Sequence, residues 1–146
     1  MFVSRTYTDF RTSHSNKLDF VEMDTAKSER GSNKCILTFY FPKTELFPAH
    51  LLFRCTPGTV RAVFDCLQTK LGRSFDFFCL FLVILTDRGV EFGNPYALEM
   101  ASDGTARTSI YYCDPMRSNL KGDIENVNTM LRMILPKGAV FDTLTQ

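Results

Sequence analysis

Leu80-Phe81-Leu82-Val83-Ile84-Leu85-Thr86-Asp87-Arg88-Gly89-Val90-Glu91-Phe92 is the stretch on which the fold turns. An apolar, β-branched run that stops at an acidic residue predicts a buried strand carrying a carboxylate out of its end. Gly89 then lets the backbone turn sharply where a side chain would be in the way. A carboxylate at a strand end needs a partner, most naturally a cation. Matching acids stand upstream in Glu22-Met23-Asp24-Thr25 and downstream in Lys121-Gly122-Asp123-Ile124-Glu125-Asn126. Carboxylates far apart in sequence, on strand, strand and helix, point to a divalent-metal phosphoryl-transfer site.

Working outward, residues 1–17 are polar and weakly patterned and read as an extended arm or linker remnant; residues 18–146 read as one domain. Leu18 to Ala26 predicts a first strand, Cys35 to Phe41 a second and Leu46 to Phe53 a third, with Pro48 marking an edge or bulged position. Thr56-Pro57 is a helix start, since Thr can cap and Pro is tolerated at the first helical position. Val60, Val63, Phe64, Leu67 and Leu71 recur at helical spacing, and Gly72 closes that helix. Phe75 to Phe78 reads as an irregular link into a fourth strand over Phe81 to Thr86. Pro95 to Met100 suits a short helix and Thr108 to Cys113 a fifth strand. Lys121 to Leu135 predicts a long last helix, stopped by Pro136, with Ile124, Val127, Leu131 and Ile134 as its buried stripe.

The chain has 146 residues, 45% hydrophobic and 23% charged, enough for one domain with a sizeable core. Seventeen Lys+Arg against sixteen Asp+Glu leave a net charge of +1, far less basic than a self-sufficient DNA-binding domain. Any DNA contact must come from a local patch or from a region absent here. The five cysteines, Cys35, Cys55, Cys66, Cys79 and Cys113, are scattered without C-x-x-C spacing and read as small core residues in a reducing cytoplasm. The longest apolar run, Phe77 to Leu85, is about half of what a bilayer span needs, so no membrane association is expected.

Thr86-Asp87-Arg88-Gly89-Val90-Glu91-Phe92-Gly93-Asn94-Pro95 resembles the second-aspartate block of the insertion sequence thirty family of transposases, which carry a retroviral-integrase-like catalytic core. Arg107-Thr108-Ser109-Ile110-Tyr111-Tyr112-Cys113-Asp114-Pro115 resembles the strand and turn that follow. Lys121-Gly122-Asp123-Ile124-Glu125-Asn126-Val127-Asn128 and Leu131-Arg132-Met133-Ile134-Leu135-Pro136-Lys137-Gly138 resemble the final-glutamate helix and its exit. The likeness runs over nearly the whole chain. It implies an α/β, RNase H-like fold, a mixed five-stranded sheet flanked by helices, and the element order β-β-β-α-β-α-β-α is what that fold requires.

By this resemblance Asp24, Asp87 and Glu125 match the three acids of the DDE triad, as catalytic residues and metal ligands. Hard Mg²⁺ or Mn²⁺ takes oxygen ligands and keeps waters, so a few carboxylates suffice. Two such ions, about 3.5–4 Å apart, activate an attacking hydroxyl and stabilise the departing oxygen. The implied activity is DNA strand cleavage followed by strand transfer in transposition. Glu91 is expected either to support the site or to cap its loop, and Arg88 to support it. Asn126 and Asn128 match the family's Asn-rich helix, where they are expected to touch DNA or the active-site acids. Arg117, Lys121, Arg132 and Lys137 are candidate phosphate contacts around the last helix, with an ordinary solvated face as the alternative. The implied partners are DNA, as transposon ends and target, and a further copy or a full-length transposase.

Arg88 stands where many family members have Asn, which places a cation beside the expected metal site. Family members also carry an N-terminal helix-turn-helix region that reads the inverted repeats, and nothing here has room for it. A truncated, catalytically silent remnant that binds or interferes with full-length transposase is therefore the competing expectation.

Overall fold

A computed structural model describes residues 4–14, 19–28, 31–71, 79–114 and 122–145. Strands β1 (Val21–Lys27), β2 (Cys35–Tyr40), β3 (Ala49–Leu52), β4 (Val83–Thr86) and β5 (Ser109–Tyr112) form one sheet in the order β3-β2-β1-β4-β5. The first three make an antiparallel meander, whereas β4 runs parallel to β1 and β5 parallel to β4. Parallel neighbours need crossover connections. Helix α2 (Pro57–Lys70) lies between β3 and β4, and the short α3 (Pro95–Glu99) between β4 and β5. Helix α1 (Tyr7–Ser13) precedes β1, and α4 (Gly122–Ile134) follows β5. This is the α/β architecture expected from the sequence: a mixed five-stranded sheet flanked by helices.

Both faces of the sheet are covered, which explains why β4 reads as an unbroken apolar run. On one face Val60 and Phe64 of α2 pack with Met23, Leu37, Phe39, Ile84, Ile110 and Tyr112. The other face holds two smaller clusters. Phe10 of α1 meets Val83, Leu85 and Cys113, while Ala26 and Ile36 meet Phe141 and the α4 residues around Leu131. The start of α2 follows from local chemistry: Thr56 and Thr59 form a reciprocal capping box, with Pro57 in the first turn.

Several expectations are corrected. The segment expected to be an extended arm contains α1, started by a capping box between Thr6 and Asp9 and anchored by the buried Phe10. Tyr7 packs beside Phe10 one turn earlier, and two aromatics at one spacing are too few to show a period. The third strand begins only after Pro48, at the sheet edge, because Pro48 has no N–H to give the ladder. Ile134 is 79% exposed, and Leu135 packs inward in its place. At 3.6 residues per turn, Leu131 and Leu135 each lie about 20° from the direction of Ile124 around the helix, whereas Ile134 lies about 80° away. Cys35 and Cys113 are buried, but Cys66 and Cys79 are exposed. The expected link over Phe75 to Phe78 and the closing Gly72 lie outside the described residues.

Candidate active site

Successive side chains of β1 alternate between the two faces, so Glu22, Asp24 and Ala26 share the face that α4 covers. Asp24 is half-buried, and both its oxygens are engaged. Oδ1 accepts the Thr25 N–H at 2.8 Å, and Oδ2 accepts the Asn128 side-chain amide at 3.0 Å. Thr38 on the neighbouring strand braces the pair, its hydroxyl lying 3.2 Å from the Asp24 carbonyl and 3.3 Å from the Asn128 carbonyl oxygen. Glu22 is 3% exposed, and its Oε2 accepts the Ile124 backbone N–H at 2.8 Å.

Asp87 follows the last residue of β4. The β1–β4 register pairs Val21 with Ile84 and Glu22 with Leu85; continued two residues, it sets Asp87 level with Asp24. Thr86 supports that continuation, its hydroxyl donating to the Met23 carbonyl at 2.9 Å. The Asp87 carboxylate turns back to accept the Gly89 N–H at 2.9 Å. A methyl group on Gly89 would stand 3.0 Å from Asp87 Oδ1 and 3.0 Å from Glu91 Oε2. A side chain at 89 would therefore press on both carboxylates and force one of them to shift, while the backbone itself, at φ −57°, is ordinary.

Glu91 sits on the far side of β1 from Asp24. It is 3% exposed, accepts the Thr25 hydroxyl at 2.5 Å, and lies 3.7 Å from the Lys27 ammonium. Burial on its own would raise the Glu91 pKa. Hydrogen bonds from Thr25 and from its own backbone, the charge of Lys27 and the Cys55 thiol outweigh that and hold it below the ordinary value. Tyr112 ties β5 to the turn carrying Glu91 by donating to the Phe92 carbonyl at 2.6 Å. Burial pushes that phenol up to about 12, so it donates as a neutral hydroxyl.

Asp24, Glu125, Asn128, Thr129, Arg132 and Lys137 line a pocket of about 490 Å³ between β1 and α4. Arg132 also donates to the Lys27 carbonyl at 2.7 Å, closing the rim. Asp87 is not in the wall of this pocket. Oxygen donors of this kind suit Mg²⁺ or Mn²⁺, which are held by one or two carboxylates and retained waters. Among the described residues, however, no three Asp, Glu, His or Cys side chains are gathered closely enough to hold one ion. Without a cation, convergent carboxylates repel one another. The structure thus brings Glu125, Arg132 and Lys137 to Asp24 and puts Asp87 just past the end of the neighbouring strand, outside that pocket.

The remaining expected residues fall elsewhere. Arg88 and Asn126 are exposed. Arg117 and Lys121 lie outside the described residues. Of the two asparagines expected near DNA or the acids, Asn128 is the one that reaches Asp24; Glu22, which the sequence did not single out as a site residue, reaches α4. The available signal was the Glu-x-Asp spacing on β1, which puts both acids on one face.

No family model matches the chain, and neither does any curated protein. Solved structures do. The simian T-cell lymphotropic virus intasome in complex with PP2A regulatory subunit B56 gamma matches with a TM-score of 0.58 at 15% identity, over 81% of this chain and 40% of that one. The HTLV-2 integrase catalytic core domain in complex with magnesium, in a trimeric form, matches with a TM-score of 0.53 at 15% identity, over 81% of this chain and 69% of that one. The chain therefore spans well under half the length of the first of these. No described helix is long and apolar enough to cross a membrane. What the likeness carries is architecture: this chain has the RNase H-like fold of integrase catalytic cores.

Proposed function

We propose that this chain is a DDE-type catalytic core that cleaves DNA strands and transfers them in transposition or integration, and that it belongs with the insertion sequence thirty family. What supports the reading is the parallel β1–β4 register, Glu22 with Leu85, whose continuation by two residues would bring Asp87 opposite Asp24, together with Glu125 lining the same pocket as Asp24. The block from Thr86 to Pro95 and the helix from Lys121 to Asn128 support the family.

In this reading Asp24 and Asp87 hold Mg²⁺ or Mn²⁺, and Glu125 completes the site. A divalent ion held there would supply Lewis acidity to the phosphodiester. The chain's own residues do the positioning. Asn128 and the Thr25 N–H orient the Asp24 carboxylate, and the Gly89 N–H orients that of Asp87. Arg132 and Lys137 offer cations to a phosphodiester entering the pocket. Residues 18–146 act as the core, with α1 packed on it through Phe10, and further copies or a full-length transposase are the partners in a reducing cytoplasm.

A second reading, a silent relative that only binds a full-length transposase, draws on Asp87 standing outside the pocket that Asp24 and Glu125 line. Thermal unfolding with and without millimolar Mn²⁺, for the wild type and for Asp87→Asn, separates the two. A ligand at about 100 times its dissociation constant stabilises by roughly 2.7 kcal/mol, several degrees for a domain of this size. The expected result is an upshift that the variant loses, followed by Mn²⁺-dependent nicking that Asp24→Asn, Asp87→Asn and Glu125→Gln each abolish. No upshift and no nicking with DNA present would leave the silent relative.

A further inference from the structure

We propose that Glu22 is a positioning residue: its carboxylate grips the first turn of α4 and thereby sets how Asn128 and Glu125 meet Asp24. The proposal rests on the reading of Asp24 and Glu125 as catalytic acids. Ile124 stands in the first turn of α4, where backbone N–H groups have no acceptor within the helix. The buried Glu22 carboxylate supplies one at 2.8 Å and is favoured there by the helix dipole.

Two residues further along the same strand face, Asp24 accepts from Asn128, four residues further along the helix. The step from Glu22 to Asp24 is about 6.6 Å along a strand, and that from Ile124 to Asn128 is about 6.0 Å along a helix. Such nearly equal steps let two acids of one strand hold one helix at successive turns. The two grips together set the rotation and height of the first turns of α4 on β1, while Arg132 holds a later turn at the Lys27 carbonyl. Glu125 lies between the two grips and is held with them. Below this point the apolar contacts of α4 are made by Leu131 and Leu135, one to two turns further on.

An ordinary helix cap would contribute stability and nothing else. The test therefore reads Asn128. Amide exchange at Ile124 and the side-chain amide signals of Asn128 are measured by NMR in the wild type, Glu22→Ala and Glu22→Gln. In the wild type the Ile124 amide is expected to be protected despite its first-turn position, with the Asn128 side-chain signals displaced from those of a free amide. In Glu22→Ala the Ile124 protection falls roughly tenfold or more, as loss of a hydrogen bond to a charged group implies. The Asn128 signals move to the free position, while the sheet amides of Leu37 and Ile84 stay protected. Glu22→Gln, which keeps an acceptor oxygen, restores both signatures. Mn²⁺ affinity drops roughly 10–100-fold in Glu22→Ala, the usual effect of removing a group that orients a ligand, and recovers in Glu22→Gln. A freely exchanging Ile124 in the wild type, or unchanged Asn128 signals in folded Glu22→Ala, overturns the proposal. Should Glu22→Ala not fold, the wild-type exchange and Glu22→Gln decide it. Failure of the wild type to bind Mn²⁺ would count against the catalytic reading, while the exchange data would still decide the grip.

Discussion

Asn128, and not Glu125, is the α4 side chain that hydrogen-bonds Asp24, its Nδ2 donating to Oδ2 at 3.0 Å. Helix geometry explains the choice. Measured from the buried direction of Ile124, Asn128 lies about 40° around the helix and Glu125 about 100°. The nearer residue meets the strand, and the farther one faces the pocket.

Replacing Asn128 tests that contact. Asn128→Ala is expected to cost about 1–2 kcal/mol, the scale of a hydrogen bond to a half-exposed carboxylate, read as a lower urea midpoint. Asn128→Asp sets a second acid against Asp24 and is expected to destabilise the metal-free protein further. Millimolar Mn²⁺ should raise the melting temperature of Asn128→Asp more than that of the wild type. An equal response in both would mean that Asn128 does not stand at a cation site.

Gly89 separates two carboxylates without room to spare. Gly89→Ala adds a methyl 3.0 Å from Asp87 Oδ1 and from Glu91 Oε2, so one of the two side chains must move. Overpacking of this size costs about 1–3 kcal/mol. Any Mn²⁺-induced thermal shift should fall by a larger fraction than the stability does, because Asp87 is the freer of the two acids. Measuring both on one preparation checks this.

Glu91 should leave a signature in acid. Its folded pKa lies below the ordinary carboxylate value, so its ionisation stabilises the fold at pH values above the unfolded pKa. That contribution is lost as the pH falls through the folded value. Glu91→Gln should therefore be less stable than the wild type near pH 7, and the gap should narrow below about pH 4. Urea midpoints from pH 7 down to pH 3 for both proteins check the sign.

Among the described residues, Arg107 is the largest fully buried side chain. Its guanidinium donates to Asp65 at 2.5 Å, to Gln68 at 3.2 Å, and to the Leu98 and Ala97 carbonyls at 2.7 and 3.2 Å. It also lies 5.4 Å above the Phe64 ring, joining α2, α3 and the approach to β5. Arg107→Ala is expected to cost about 3–5 kcal/mol. Asp65→Asn should cost less, because the Asp65 side chain is 40% exposed and water screens the pair. Equilibrium unfolding in urea ranks the two.

Much of the fold was legible because its signals are local. The alternation or run of apolar residues in β1, β2 and β4, the Thr56-Pro57 start of α2 and the Pro136 stop of α4 each depend on a few neighbouring residues. The failures are of one kind. Phe10 anchors α1 on a surface made by Val83, Leu85 and Cys113, far away in sequence. Ile134 reads as apolar at a helical spacing, yet only the rotation of α4 on the sheet decides that Leu135 takes its place.

The same division runs through the site. By itself the sequence determined that acids lie on the first strand and just past the fourth and that another sits on the last helix, because strand and helix periods are short-range properties. The tertiary structure alone decided which acids meet which partners. Glu22 with Ile124, Asp24 with Asn128, and Thr25 with Glu91 are contacts across 102, 104 and 66 positions of chain. Such pairings depend on strand register and helix rotation, which are set by packing of the whole sheet and leave no period in the chain.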